Sequence, residues 1–162
     1  MRHKSFDRMT CPIARSLERV GEWWSLLIMR DVLLQGITRF DALQRSLGIA
    51  PNTLARRLDA LVEAGLLERR RYSDRPPRSE YVATSHGRDL HSVILALLAW
   101  GNRHCAPEGA SIVLVNRKTG AVVDPVLSDP ATGGNVTEPD YGLAAGPAAS
   151  LRTRRRYAAR PE

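Results

Sequence analysis

The chain has little cysteine, little lysine and no long apolar run. Its 162 residues include two cysteines, Cys11 and Cys105, far apart. Two cysteines cannot build a disulfide scaffold. His104 and Cys105 are neighbours, a poor geometry for holding one metal, and no second pair has ligand spacing. His3, His86 and His91 have no partner visible in the sequence. No apolar stretch reaches the ~18 residues of a membrane span, and the polar N-terminus does not read as a signal peptide. Neither a phosphate-cradling glycine loop nor a nucleophile elbow is present. The expectation is a cytoplasmic protein with no membrane partner, no metal, no cofactor and no enzymatic activity.

What the chain has is arginine. Of 24 basic residues only Lys4 and Lys118 are lysine, and the net charge is +7. Nearly all of that net charge lies in residues 1–106. A basic domain favours a polyanionic partner, and the planar guanidinium fork matches phosphates and guanine edges. A GC-rich genome also inflates arginine, so the composition alone does not name the partner.

The pattern along the chain is mainly helical. Pro12 suits a first helical turn, and Ile13, Leu17 and Val20 make one apolar stripe ending at Gly21. Trp23 to Leu34 is apolar almost all the way round, which predicts a central helix buried on most sides and closed at Gln35-Gly36. Thr38 is expected to cap the next helix, with Asp41 completing a weak capping box and Phe40, Leu43 and Leu47 turned inward. Gly48 makes a turn. Pro51 opens a further helix with Leu54, Leu58 and Leu61 on its buried stripe, and Gly65 lies just past its end. Leu66 to Tyr72 and Glu80 to Ala83 read as two strands joined by a loop with two prolines and two arginines. Thr84 or Ser85 caps a long helix running to about Cys105.

Two short helices, a tight turn and an arginine-studded hairpin predict a winged helix-turn-helix: mainly α with a small β-hairpin wing. In that module the N-terminal part of the second helix enters the DNA major groove. A 100° step per residue puts Asn52 and Arg56 opposite the leucine stripe, where they can read base edges. Thr53 and Arg57 flank them as phosphate candidates. Asp59 and Glu63 share the outer face and would repel phosphates, so only the first two turns should insert. Arg39, just before the pair of helices, is a further DNA-contact candidate. Arg69 and Arg71 share one strand face, and Arg75 and Arg78 flank Pro76-Pro77 at the wing, suited to phosphates or a narrow minor groove. An amphipathic helix with a solvated face would look the same in isolation; it is the combination of turn, hairpin and basic loop that points to DNA.

The stretches CPIARSLERVGEWWSLLIMRDVL, RFDALQRSLGIAPNTLARRLDALVEAGLLERRRY and PPRSEYVATSHGRDL, followed by AWG, run in order from about Cys11 to His104. Together they resemble the HxlR family of bacterial transcription regulators, relatives of the MarR-type winged helix proteins. The resemblance implies a homodimer joined through the first helix and the long helix after the wing, here Ile13 and Leu17 with Leu95, Leu98 and Trp100. It implies a regulator, often a repressor, that answers a small-molecule effector or oxidative or electrophile stress. Some members sense through a cysteine just before the first helix, the position of Cys11. A helix N-terminus with Arg8 and Arg15 nearby would favour its thiolate. The chain departs from the family pattern at Ala50-Pro51, where Ser-Pro is common, and at Asn52, where a basic residue is common.

The expected organisation is a flexible arm over 1–10, a DNA-binding and dimerisation domain over 11–106, and an extension over 107–162. In the extension, Ile112 to Val115 and Ala121 to Val123 read as a hairpin around Lys118-Thr119-Gly120, and the chain beyond is irregular and basic, with Arg152 and Arg154 to Arg156. The expected partner is a pseudo-palindromic stretch of double-stranded DNA. The rival expectation is a winged-helix protein-interaction or dimerisation module without specific DNA binding.

Overall fold

The computed structural model describes residues 5–6, 9–75, 77–137 and 139–158. Arg8 and Pro76, both singled out above, lie outside them. The chain divides into two units between Val113 and Leu114.

In the first unit the order is α1 (Pro12–Val20), α2 (Trp23–Gln35), α3 (Phe40–Leu47), α4 (Pro51–Glu63), β1 (Leu67–Asp74), β2 (Pro77–Ala83), α5 (Ser85–Arg88) and α6 (Leu90–His104). The core gathers around α2, which packs on α1, α3, α4, α6 and β2. Ile28, Met29, Leu43, Leu54, Leu58 and Leu61 are fully buried there. Each leucine of the α4 stripe is spaced to return to the same face, so the helix forms because that face has somewhere to go.

α2 is less enclosed than its composition suggests. Trp23, at its first turn, is 82% exposed, and Leu34 is exposed near its end. In their place the helix buries an acid. Asp31 is fully buried, and its Oδ1 accepts from Arg30 Nε at 2.8 Å and from Gln35 Nε2 at 3.3 Å. Gly36, Gly48 and Gly65 end α2, α3 and α4 with φ of 67°, 62° and 71°, the left-handed region open to glycine at no steric cost.

Thr38 does not cap α3. Arg39 occupies the cap position and makes no side-chain cap bond. The Thr38 hydroxyl donates instead to Glu80 Oε2 at 3.2 Å, and its carbonyl accepts from Tyr81 N at 2.7 Å. A long-range bond to the hairpin has won over the local one, and it fastens the entry of α3 to β2.

β1 and β2 pair antiparallel, Leu67 opposite Ala83, Arg69 opposite Tyr81 and Arg71 opposite Ser79. The register then shifts at Tyr72, and pairing continues to Asp74 opposite Pro77. The strands therefore reach further into the proline-containing loop than expected. Thr84 does cap: its Oγ1 accepts from Gly87 N at 3.0 Å and donates to the Gly65 carbonyl at 2.7 Å. The helix it starts is short. The chain turns at Asp89, which keeps right-handed helical angles, before α6 continues.

The second unit holds β3 (Leu114–Val115), β4 (Val122–Val123) and α7 (Leu151–Tyr157). The strands pair as expected but are two residues each. Their turn is held by Asn116 Oδ1, which accepts from Lys118 N at 2.9 Å and Thr119 N at 3.3 Å. Asp129 organises a second turn. The Ala131 backbone N–H, with help from the Thr132 and Tyr141 hydroxyls, holds its carboxyl below the ordinary carboxylate range. α7 falls in the segment expected to be irregular; Ser150 caps it by accepting from Thr153 N at 3.2 Å. Among the described residues no helix is long and apolar enough to cross a membrane.

Candidate nucleic-acid interface

α3 and α4 meet through the Gly48-Ile49-Ala50 turn, with Ile49 buried beneath it. Pro51 takes the first position of α4, where its missing N–H costs nothing. Ala50 offers no side-chain cap, yet its carbonyl accepts from Leu54 N at 2.9 Å. With the leucines inward, Asn52 and Arg56 are exposed one turn apart on the opposite face, and Thr53 is half-buried beside them. Asp59 and Glu63 are exposed further along, so basic and amide groups lead the helix and acids trail it.

Arg57 sits differently. Its Nη2 donates to Glu22 Oε2 at 2.7 Å, its side chain is only 18% exposed, and its Nε is buried without a partner. Nothing in the sequence links Glu22 to α4; the pair is made by the packing of the α1–α2 junction against that helix.

Near the turn of the hairpin the guanidinium of Arg39 lies 4.9 Å over the ring of Tyr72. Arg39, Arg69 and Arg78 line one open cavity of about 430 Å³ with Tyr72, Ser79 and Tyr81. None of the three arginines makes an ion pair among the described residues. Asp41 also lines the cavity, but its carboxylate accepts from Arg45 at 3.1 Å. Burial raises the Tyr81 phenol above its ordinary pKa, so it stays a neutral donor. Tyr72 was not singled out in the sequence. The register shift there places it beneath Arg39, and a strand-end tyrosine gives no advance sign of that.

The remaining wing arginines divide. Arg70 faces the other side and pairs with Glu68 at 3.1 Å, which holds that carboxyl below its ordinary value. Arg71 pairs with Asp74 at 3.0 Å. Arg75 is exposed in the turn.

Away from this face, Ile13, Leu17 and Trp100 are 71%, 49% and 54% exposed. Leu95 and Leu98 are half-buried. Cys11 is exposed at the cap position of α1 and makes no capping bond. Arg15, expected beside it, gives its Nε to the Met9 carbonyl at 2.6 Å.

Two packed helices around a tight turn, followed by a two-stranded wing, define a winged helix-turn-helix regulator. Residues 19–109 match the family model described as HxlR-like helix-turn-helix, and the chain belongs to that family. An uncharacterized HTH-type transcriptional regulator of Mycobacterium bovis is 44% identical over 140 residues, spanning 82% of this chain and 88% of its own length. That span carries the likeness beyond the family match and into the second unit. A solved transcription-factor candidate from Pseudomonas aeruginosa is 57% identical with a TM-score of 0.65, covering 90% of this chain and 99% of its own. Another solved transcription-factor candidate is 34% identical with a TM-score of 0.75, covering 87% and 99%. These relatives are described as regulators of transcription rather than enzymes, and the family implies DNA binding.

Proposed function

We propose that the chain is a homodimeric, sequence-specific DNA-binding repressor. The observation that carries this reading is the exposure of Asn52 and Arg56 on the leading face of α4. Beside it stand Arg39 and the wing arginines Arg69 and Arg78, none of which makes an ion pair among the described residues. In the proposed complex α4 enters the major groove by its first two turns. Asn52 pairs with adenine and Arg56 with guanine, each through two hydrogen bonds. Thr53 contacts phosphate. Arg39, Arg69, Arg75 and Arg78 follow the backbone beside the groove, and Arg71 joins them by leaving Asp74, a cheap exchange between exposed groups. Arg57 contributes only when released by Glu22.

Two copies joined through Ile13, Leu17, Leu95, Leu98 and Trp100 would set their α4 helices about one DNA turn apart on a pseudo-palindrome. A dimer seated on such a site obstructs transcription. Release follows a small molecule, or oxidation or alkylation at the exposed Cys11. The proposed location is the cytoplasm, where the DNA is.

The experiment is fluorescence anisotropy of the full chain on the DNA upstream of its own gene beside a scrambled duplex of equal length, near physiological salt. Tighter binding to the native duplex by ~100-fold supports the reading. Absence of DNA binding to either duplex rejects it and promotes the protein-interaction module.

A further inference from the structure

We propose that one face of α7, in the second unit, is a phosphate-binding surface for the DNA backbone, additional to α4 and the wing. Four of the seven residues of α7 are arginine and none is acidic. A 100° step per residue sets Arg152, Arg155 and Arg156 within about 100° of one another, the i, i+3 and i+4 pattern of one helix face. All three are exposed. Thr153 and Tyr157 are half-buried away from that face.

Helix stability does not account for this face. Arg154 to Arg156 suit the negative end of the helix dipole, but Arg152 lies in the first turn, where a positive charge meets the positive end. Arg154 is occupied otherwise. Its Nε and Nη2 donate to the Ala149 and Pro147 carbonyls, each at 3.0 Å, and with the Ser150 cap they fix the entry of the helix. Arg156 lies 5.7 Å over the ring of Tyr157, which steadies its guanidinium. None of the four makes an ion pair among the described residues. Asp129 of the same unit is taken up by its own turn.

This arrangement selects its partner. Three guanidinia spaced along one helical turn match a repeating anion, and each planar fork can hold a phosphate through two N–H groups. A membrane surface would call for an apolar helix face as well, and the exposed aliphatic side chain of α7 is Leu151 alone. The contact carries no base information, because side chains on phosphate fix position rather than read sequence. The proposal rests on the DNA-binding reading and adds to it an affinity that is independent of sequence.

The test is fluorescence anisotropy of the full chain beside the triple variant Arg152→Gln, Arg155→Gln, Arg156→Gln. Both are titrated over a range of salt on the native upstream duplex and on the scrambled one. Glutamine keeps the helix propensity, so circular dichroism should be unchanged. The triple variant should lose about tenfold or more in affinity on both duplexes alike, and its salt slope should be shallower by about two units or more. Lysine at the same three positions should recover most of the affinity, since a phosphate contact needs the charge. Arg154→Gln should keep the parent's salt slope. The proposal is overturned if the glutamine variant keeps that slope, if the lysine variant binds as weakly as the glutamine one, if Arg154→Gln flattens the slope as much, or if the loss falls on one duplex only. It is equally overturned if DNA affinity is unchanged while binding to vesicles of phosphatidylserine and phosphatidylcholine is lost, which would assign the face to a membrane. The two failures are distinguishable. A parent chain that binds neither duplex removes the DNA-binding reading and this one with it, whereas a parent that binds with a slope the triple variant shares removes the α7 face alone.

Discussion

Arg57 of α4 is held by Glu22, 35 residues earlier in the chain, through a 2.7 Å ion pair. Without that pair, Arg57 would be free beside Asn52 and Arg56, on the face proposed to meet DNA. The end of α1 also touches this region: Arg19 Nη1 reaches the Ala64 carbonyl at 3.4 Å, just past α4. The helix junction that precedes α2 therefore neutralises one of the positive charges of α4.

Glu22→Gln should free Arg57 without emptying the core. The expected result is tighter binding to random DNA and a salt slope steeper by about one unit, since one more phosphate is neutralised. Anisotropy titrations from low to high salt measure both. The pair is partly exposed, so thermal stability should fall by no more than about 1 kcal/mol. An unchanged salt slope would mean that Arg57 stays out of reach of the backbone.

Arg56→Ala and Arg75→Ala should fail differently. Loss of a bidentate base contact costs about 1–3 kcal/mol on the specific site and little on random DNA. Loss of the wing arginine should weaken both alike and make the salt slope shallower. Competition assays with specific and random duplexes separate the two patterns. Equal loss on both duplexes for Arg56→Ala would remove it from base reading.

Thr84→Ala removes a cap acceptor and a cross-link in one step. The Thr84 hydroxyl satisfies Gly87 N and donates to the Gly65 carbonyl, tying the end of α4 to the exit of β2. The expected loss is about 1–2 kcal/mol, read as a lowered Tm. Thr84→Ser keeps the hydroxyl and should recover most of it.

Leu17→Asp should separate the proposed dimer. Leu17 is 49% exposed in the isolated chain, so the charge costs the monomer fold little and costs an apolar interface much. Light scattering after gel filtration should report a monomer with unchanged circular dichroism. A persistent dimer would relocate the interface away from α1.

The elements that read directly from the sequence are those fixed by local chemistry. Leu54, Leu58 and Leu61 return to one face by helical spacing alone, and the outward position of Asn52 and Arg56 follows from the same step. Gly36, Gly48 and Gly65 were legible because glycine takes a positive φ without steric cost. What escaped depends on residues far apart. Thr38 left its local cap for Glu80, 42 residues on. The pairing of Arg57 with Glu22 has no sign in the local pattern of α4. Tyr72 gained its place under Arg39 from a register shift. Trp23 reads as core by composition, yet the packing leaves it exposed. α7 has no apolar stripe to announce it, only a serine cap and a run of helix-compatible arginines.

The most direct test of the central claim is selection of the full chain's binding sites from a pool of random duplexes, repeated with Arg56→Ala. The expected result is an enriched inverted repeat with half-sites about 10 base pairs apart, and for the variant a relaxed preference at one position in each half-site. Retention of the pool without any enriched sequence, or an enriched repeat that Arg56→Ala leaves untouched, would contradict base reading by the leading turns of α4.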